Sequence, residues 1–317
     1  MISQPDWEKL ETTLPTVLEP FCRDQLGWQS YPSELLQNFW LPLAKQLVAW
    51  HEQAEGTLIQ GILGGQGTGK TTLAAILTQI LKHLGLQVCQ LSLDDLYKTY
   101  ADRQQLQQID PRLRWRGPPG THDIDLGLEV LQQLKHKRPA QVPRFDKSAW
   151  GGMGDRTLPE TVNRTDIVLF EGWFVGVRPI DPAAFDSAPS PIETESDRAF
   201  ARDMNTRLAD YLPLWNFLDR LLVLLPTDYR LSQLWRRQAE QAMIRAGQSG
   251  MAGTEVDEFV EYFWRSLHSE LFITPFRYNA QADWVIEISS EHRPIAIHDR
   301  FNIVQKNKLG IKIDSVL

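Results

Sequence analysis

A short apolar run, a glycine-rich turn and a segment with helical periodicity follow one another within residues 58–84. The turn matches G-x-x-x-x-G-K-[ST], the P-loop pattern, which is completed by Gly64, Gly69, Lys70 and Thr71. Backbone amides and the lysine of this pattern hold the phosphates of a nucleotide. A strand, a glycine turn and a helix N-terminus in this order aim unpaired N–H groups and the positive end of the helix dipole at an anion. The stretch therefore predicts an α/β unit that binds a nucleotide phosphate.

The residues on either side of the pattern support this prediction. Residues 58–63 are largely apolar, and after the turn apolar residues recur on one helical face, at Leu73, Ile76, Leu77, Ile80, Leu81 and Leu84. Gly85 follows where a left-handed residue ends a helix. The alternative is a chance match, which at about 7 % glycine is expected in roughly one chain of this length in a hundred. The flanking strand and helix make such a coincidence rarer still.

Composition narrows the class of protein. With 317 residues, 42 % hydrophobic and 23 % charged, the chain has the material of a soluble globular protein with one main domain and additions. A net charge of −7 argues against a nucleic-acid partner, which would require a basic stripe. Cys22 and Cys89, the only cysteines, form neither a zinc pattern nor a disulfide framework. No apolar run reaches the roughly 18 residues of a membrane span, so we expect a cytoplasmic protein without a membrane partner.

Alternating apolar runs and helical patterns predict the fold class. Further strands are expected at 87–93, 166–170, 220–225 and 284–288, the last of these being the final strand. Helices are expected at 124–135, behind a cap at Asp123 or Asp125, from near Asp228 and from Thr254. This order predicts an α/β fold, a P-loop NTPase-type parallel sheet with helices on both faces. Residues 178–198 are expected to form a mobile surface excursion.

The domain organisation follows from the position of the P-loop. Residues 1–55 are expected to be an N-terminal helical extension that packs on the core and has no chemical role. Residues 56–317 then form the P-loop domain, with a lid at about 228–253. Arg236 and Arg237 lie on the predicted lid helix, which ends at a glycine-rich stretch. Such a helix can close over phosphates and stabilise the charge of transfer; the alternative is a solvated face.

Acidic residues follow two of the predicted strands, where ligands bind in parallel sheets. Asp94 comes just past a strand that we expect beside the P-loop strand, so it could orient an acceptor hydroxyl and accept its proton. Asp95 should point elsewhere. The alternative for Asp94 is a helix cap. Glu171 ends the next strand and suits a magnesium site, or it only caps the strand end.

A P-loop alone fits GTPases, ATPase motors and small-molecule kinases. A GTPase would normally carry Asn-Lys-x-Asp, and residues 307–310 lack the final aspartate. A motor would usually be larger and would carry an acidic pair after a buried strand. These differences favour a small-molecule kinase.

With these motifs in view, the sequence resembles the D-glycerate 3-kinases of plants, fungi and cyanobacteria. These belong to the phosphoribulokinase, uridine kinase and pantothenate kinase group of P-loop kinases. The resemblance runs from about Leu58 to Ile288. Its most specific parts are 92–97 (SLDDLY), 120–123 (GTHD), 144–148 (RFDKS), 154–156 (GDR) and 170–173 (FEGW).

The resemblance implies ATP-dependent phosphorylation of the 3-hydroxyl of D-glycerate, giving 3-phosphoglycerate and ADP, with Mg²⁺ as cofactor. It implies that ATP is held by Gly64, Gly65, Gln66, Gly67, Thr68, Gly69, Lys70, Thr71 and Thr72. It assigns the metal to Thr71 and Glu171, and catalysis to Asp94 as base, Lys70 and Arg236. It assigns the acceptor side to His122, Asp123, Arg144, Lys147 and Arg156.

Two alternatives stay open. The acceptor could be another small hydroxylated metabolite, such as a nucleoside, pantothenate or a sugar acid. The chain could also be a nucleotide-responsive regulatory module without turnover. The joint presence of Asp94, Lys70 and Glu171 argues against the latter, because a degenerate site should have lost one of them.

Overall fold

The computed structural model describes residues 7–245 and 253–300. Its α-helices are α1 (Trp7–Asp24), α2 (Ser33–Leu35), α3 (Leu41–Gln53), α4 (Lys70–His83), α5 (Tyr100–Ile109), α6 (Ile124–Lys135), α7 (Glu195–Arg207), α8 (Leu212–Trp215), α9 (Leu231–Arg245), α10 (Gly253–Ser266) and α11 (Ser269–Phe272). A π-helical segment, Leu36–Trp40, joins α2 to α3. Short 3₁₀ segments occur at Leu93–Leu96, Trp150–Gly152, Pro182–Ser187, Leu208–Tyr211 and Thr274–Arg277.

The strands are β1 (Leu58–Gly64), β2 (Val88–Ser92), β3 (Ala140–Val142), β4 (Phe145–Asp146), β5 (Asp155–Arg156), β6 (Glu160–Val162), β7 (Ile167–Gly172), β8 (Arg220–Pro226), β9 (Trp284–Ile288) and β10 (Pro294–Asp299). Two parts of the sequence predictions, the glycine-rich stretch 247–252 of the lid and the motif at 307–310, lie outside the described residues.

Six strands form the central sheet in the order β10-β9-β8-β1-β7-β2. The five strands predicted from the sequence run parallel, which confirms the α/β fold class. The prediction that strand 284–288 is the last one is wrong, because β10 returns antiparallel to β9 after a short turn closed by Ser289 and Arg293. Strand β10 is only partly buried, so its apolar pattern is weaker than that of the central strands.

One detail of the predicted strand arrangement is also wrong. The strand before Asp94 does not lie beside the P-loop strand, because β7 pairs with β1 on one side and with β2 on the other. Glu171, near the end of β7, therefore lies between the P-loop strand and the strand that leads to Asp94. Chain order does not fix this arrangement, since a parallel connection crosses over through a helix and can return on either side.

The central strands bury both faces and divide the apolar core into two layers. On β1, Ile59 and Leu63 pack in one layer with helices α6, α7, α8 and α10. Leu58 and Ile62 pack in the other layer with helices α1, α3 and α4. Because side chains alternate along a strand, neighbouring residues of β1 serve opposite layers. The prediction of helices on both faces is confirmed.

Most of the described residues before β1 are helical, in α1, α2, the π-helical segment and α3. Helices α1 and α3 both contact the P-loop helix α4. Leu14 and Leu18 of α1 are fully buried in the same layer as α4. The extension is thus an integral part of one side of the core.

Residues 178–198 are held more firmly than the sequence suggests. Phe185 and Ile192 are buried in the apolar layer that contains α7. Thr194 then caps α7 by accepting a hydrogen bond from the backbone of Asp197. The expectation of a loose surface excursion is wrong at these positions, because isolated apolar side chains among prolines and acids give no periodic pattern.

Candidate active site

Two glycines with positive φ shape the P-loop. Gly67 has φ +76° and Gly69 has φ +85°, a region that residues with a Cβ rarely adopt. Helix α4 begins directly after Gly69, and no side chain in the described chain caps its N-terminus. The first backbone N–H groups of α4 therefore stay available for an anion. A Cβ on Gly67 would lie 2.7 Å from the Cβ of Trp235, so helix α9 packs directly on the loop.

Side chains of the P-loop fold over its own backbone. The hydroxyl of Thr68 donates to the carbonyl of Gly65 at 2.9 Å. The ammonium of Lys70 reaches the same carbonyl at 3.4 Å, a long contact. A phosphate oxygen is a stronger acceptor for an ammonium than a carbonyl is. The position of Lys70 is therefore suited to releasing this contact when a phosphate arrives.

Thr71 and Glu171 form a site that fits a divalent cation. The Thr71 hydroxyl donates to Oε1 of Glu171 at 2.8 Å, whereas Oε2 is buried without a partner among the described residues. A buried carboxylate oxygen without a donor is unfavourable unless a cation or its water lies against it. Mg²⁺ commonly takes one or two protein ligands and completes its shell with phosphate oxygens and waters. Within residues 7–245 and 253–300 no cluster of three or more His, Cys, Asp or Glu could hold a metal alone.

A 3₁₀ turn after β2 sends Asp94 and Asp95 in different directions. The Ser92 hydroxyl accepts from the backbone of Asp94 at 3.2 Å, and the backbone of Ser92 donates to Asp95 at 3.0 Å. This capping box commits the carboxylate of Asp95 to the backbone and leaves that of Asp94 facing the site. The alternative in which Asp94 is the helix cap is wrong, because Ser92 takes that role.

The carboxylate of Asp94 is held in its ionised form by its neighbours. Burial would raise the pKa of Asp94, but the nearby Lys147 and Lys70 and a hydrogen bond with Tyr97 outweigh it and lower this pKa to about 2. The ammonium of Lys147 lies 2.6 Å from Asp94, and its attraction to that carboxylate raises the pKa of Lys147. The Lys147 side chain is 62 % exposed, so a ligand from solvent can reach it.

His122 is buried as a neutral imidazole. Its Nδ1 lies 2.7 Å from the Tyr211 hydroxyl, which also accepts a hydrogen bond from the backbone of Gly120. The Tyr211 hydroxyl can either donate to Nδ1 or accept from it, so the contact fixes the position of the imidazole ring. Burial lowers the pKa of His122 to about 3. Its Nε2 has no partner within the described residues, and its ring stacks on that of Tyr97, which bonds Asp94.

The other predicted acceptor residues form ion pairs that hold the surrounding loops. Arg144 pairs with Asp95 at 3.1 Å and with Glu160 at 2.6 Å. Arg156 pairs at 2.8 Å with Asp123, which also caps α6. The structure thus brings His122 and Lys147 to Asp94, whereas Arg144, Asp123 and Arg156 shape the walls. Contact of these residues with an acceptor stays a prediction.

The arginines of the predicted lid lie on helix α9. Arg236 forms an ion pair with the buried Glu240 one turn further along the helix. Arg237 binds Asp257 of α10 through two contacts, at 2.8 and 2.5 Å. Both arginines therefore have protein partners in this structure. A role of Arg236 in phosphate transfer stays a prediction.

Two tyrosines of the site have no role in the sequence analysis. Tyr97 bonds Asp94, and the hydroxyl of Tyr211 bonds Nδ1 of His122. Tyr97 lies within the motif at 92–97, so its position next to Asp94 was an available indication. No sequence spacing connects Tyr211 with His122, which precedes it by 89 positions.

The parallel sheet carries a phosphate-binding loop, a buried carboxylate suited to magnesium and an ionised aspartate beside a lysine. These features define a P-loop kinase. A model of the Phosphoribulokinase / Uridine kinase family matches residues 59–179. The chain is 34 % identical over 218 residues to an uncharacterized kinase of Schizosaccharomyces pombe, a match that covers 65 % of this chain and 78 % of that one. The chain therefore belongs to the phosphoribulokinase and uridine kinase family.

Two further relatives are D-glycerate 3-kinases. The chloroplastic enzyme of Arabidopsis thaliana is 33 % identical over 218 residues, covering 65 % of this chain and 46 % of that relative. The chain thus matches about half the length of that protein. The structure of D-glycerate 3-kinase from Cryptococcus neoformans aligns with a TM-score of 0.72 and 27 % identity, covering 81 % of this chain and 97 % of that one. The resemblance drawn from the motifs is confirmed. Across the described residues no helix is both long and apolar enough to cross a bilayer.

Proposed function

We propose that the chain transfers the γ-phosphate of ATP to the 3-hydroxyl of D-glycerate. The observation that carries this proposal is the ion pair of Asp94 with Lys147. D-Glycerate has a hydroxyl and a carboxylate, so an acceptor of this kind needs a base and a cation close together. Asp94 supplies the base and Lys147 the cation. Lys147 as the carboxylate ligand is the finer part of the proposal.

The transfer follows from these two roles. The 3-hydroxyl oxygen attacks the γ-phosphorus, the bond from that phosphorus to the bridging oxygen of ADP breaks, and the hydroxyl proton passes to Asp94. Lys70 neutralises charge on the transferred group. Magnesium, held by Thr71 and Glu171 with the phosphates, would neutralise further charge on ATP. A base with a low pKa suffices, because the hydroxyl proton becomes acidic only as the new bond forms.

Binding of the acceptor would also tune the base. When a carboxylate of the acceptor binds the ammonium of Lys147, that ammonium is divided between two carboxylates. Its attraction to Asp94 then becomes weaker. The remaining burial then raises the pKa of Asp94 towards the value useful for accepting a proton. Asp94 would thereby become a stronger base when the acceptor is bound.

The rest of the assignment belongs to the same proposal. Residues 1–55 form the extension and residues 56–317 the kinase domain, whose lid includes α9. Arg236 would leave Glu240 and stabilise the transferred charge when the lid closes. The buried Nε2 of His122 would form a hydrogen bond with the acceptor. A cytoplasmic location is the expectation from the cysteine usage.

An acceptor panel tests the proposal. ADP release by the purified protein with Mg-ATP is measured with D-glycerate, L-glycerate, uridine, pantothenate and ribulose 5-phosphate. Glycerol, which lacks the carboxylate, and D-lactate, which lacks the 3-hydroxyl, are matched controls. We expect turnover with D-glycerate and little with either control. Turnover confined to another acceptor would overturn the glycerate assignment, and none with any acceptor would favour a regulatory module.

A further inference from the structure

A cavity of about 650 Å³ lies between the residues before β1 and the outer side of the P-loop. This volume is in the range of pockets that bind drug-sized ligands. Its floor is formed by the P-loop and the first turns of α4, including Gly67, Lys70 and Ile76. The cavity therefore opens directly onto the loop that binds phosphate.

One wall of the cavity is aromatic and comes entirely from the N-terminal extension. It consists of Trp28, Pro32, Leu35, Phe39 and Trp40. The rings of Trp28 and Trp40 stack with centroids 6.2 Å apart. Trp40 and Phe39 are buried, whereas Trp28 and Leu35 are partly exposed towards the cavity. Flat aromatic and aliphatic surfaces of this kind bind the faces of planar rings.

The other wall comes from β8, from β9 and from the turn that follows β9. Leu224 of β8 and Ile288 of β9 line it, followed by His292 and Arg293 of the turn before β10. His292 bonds the carbonyl of Gly67 at 2.6 Å, which fixes this turn against the P-loop. Arg293 reaches Glu34 of the extension at 3.6 Å, so the two walls meet at the rim.

The strand order places this cavity and Asp94 on opposite sides of the P-loop strand. The cavity is bounded by β8 and β9, whereas Asp94 follows β2, and β1 lies between them in the order β9-β8-β1-β7-β2. The γ-phosphate and the nucleoside lie at opposite ends of the phosphate chain of ATP. If the γ-phosphate faces Asp94 while the phosphates lie on the P-loop, the nucleoside extends to the other side of β1. That side is the cavity.

We infer that the cavity holds the base and ribose of the phosphate donor, and that the N-terminal extension completes the donor site. This inference rests on the proposed binding of ATP by the P-loop. It gives a ligand-binding role to residues 28–40, which lie outside the span matched by the family model. The mainly apolar lining beyond the P-loop suits a purine ring and not a small hydroxy acid.

The first test compares two ligands with the unmodified protein. Isothermal titration calorimetry measures binding of Mg-ADP and of Mg-pyrophosphate, which share the diphosphate but not the nucleoside. We expect ADP to bind at least about tenfold more tightly, because the base gains stacking and apolar burial. Equal affinities would overturn the inference.

The second test locates the nucleoside. Leu35→Trp narrows the cavity from the extension, and the matched control Gln37→Trp adds the same side chain at an exposed position nearby that does not line it. We expect Leu35→Trp to weaken ADP binding by about tenfold or more while pyrophosphate affinity stays unchanged. Unchanged ADP affinity would overturn the inference. If Leu35→Trp also loses pyrophosphate binding, Trp28→Ala decides, because it removes a wall without adding bulk: weaker ADP binding supports the inference and normal binding contradicts it.

These measurements separate the inference from the proposed function. ADP and pyrophosphate affinities require no acceptor, so an error in the glycerate assignment leaves both tests intact. Lys70→Ala should weaken both ligands, since it removes a contact with the diphosphate that ADP and pyrophosphate share. If the inference fails while Lys70→Ala weakens both ligands, the P-loop assignment stands and only the nucleoside position is wrong.

Discussion

The ammonium of Lys147 lies 2.6 Å from a carboxylate oxygen of Asp94, and both groups are charged. Asp94 follows a strand of the central sheet, whereas Lys147 lies in the long connection from α6 to β7. The pair thus joins the rigid part of the site to a loop. In the proposed function the same pair becomes the contact that an acceptor carboxylate must replace.

Replacing Asp94 tests the proposed base. We expect Asp94→Asn to lower kcat by about 10²-fold or more, the scale of general-base loss, while ADP affinity stays near normal. Steady-state kinetics and calorimetry measure the two quantities. Asp95→Asn is the matched control: it weakens the capping box and should lower stability with a much smaller change in kcat. Near-normal kcat in Asp94→Asn would show that the base lies elsewhere.

Replacing Lys147 tests the proposed carboxylate contact. We expect Lys147→Met to raise the KM for D-glycerate by about tenfold or more, since a charge-assisted hydrogen bond is lost. Without Lys147 the pKa of Asp94 should rise, so the acid limb of the kcat/KM profile should move to higher pH. Lys82→Met, at the exposed end of α4, provides the control. An unchanged KM and pH profile would contradict the role of Lys147.

The unpartnered Oε2 of Glu171 predicts how the reaction rate depends on magnesium concentration. Glu171→Gln keeps the shape but removes the charge, so we expect a several-fold higher Mg²⁺ concentration for half-maximal rate. The measurement is a magnesium titration at fixed ATP and acceptor. Thr71→Val should shift the same titration, because it removes the hydroxyl that bonds Glu171. An identical magnesium dependence in both variants would place the metal elsewhere.

Burial of neutral His122 predicts how stability depends on pH. Its pKa is about 3 in the folded chain, against about 6.5 for an unperturbed histidine. Between these values the unfolded chain binds more protons, so the unfolding free energy should fall as pH falls below about 6.5, by up to about 1.4 kcal/mol per pH unit. His122→Phe should remove this contribution in denaturant titrations, leaving those of His268 and His51, whose pKa values are also lowered by burial.

The control for this measurement is His83→Phe, which makes the same substitution at an exposed position of α4. If His122→Phe keeps the full slope of the unmodified protein, the buried neutral form of His122 does not contribute.

Local patterns predicted the elements of the fold but not their arrangement. The P-loop, the Asp94 turn and the Glu171 strand each lie within one short stretch, where periodicity and motif spacing are informative. The position of β7 between β1 and β2 depends on crossovers, which chain order does not determine. Strand β10 was not predicted, because an edge strand with little burial needs no strong apolar pattern.

In the candidate site, too, residues within local motifs could be predicted from the sequence, whereas contacts between distant parts of the chain could not. Asp94 and Lys147 were predicted from the motifs that contain them. The partners of the arginines were not, although the spacing of Arg236 and Glu240 is that of a helical ion pair. The cavity was missed because its walls combine residues near positions 28–40, 67–76 and 288–293, and contacts across such separations leave no periodic trace in a sequence.

The short strands β3 and β6 separate the loop between them from the central sheet. They pair at Ala140–Val142 with Glu160–Val162, so the two ends of the loop that carries Lys147 and Arg156 lie side by side. A loop closed at its base in this way can change in length and sequence without moving the sheet or the P-loop. In the proposed function, exchange of this loop would therefore change the residues around Lys147, while the sheet and the P-loop keep their own contacts.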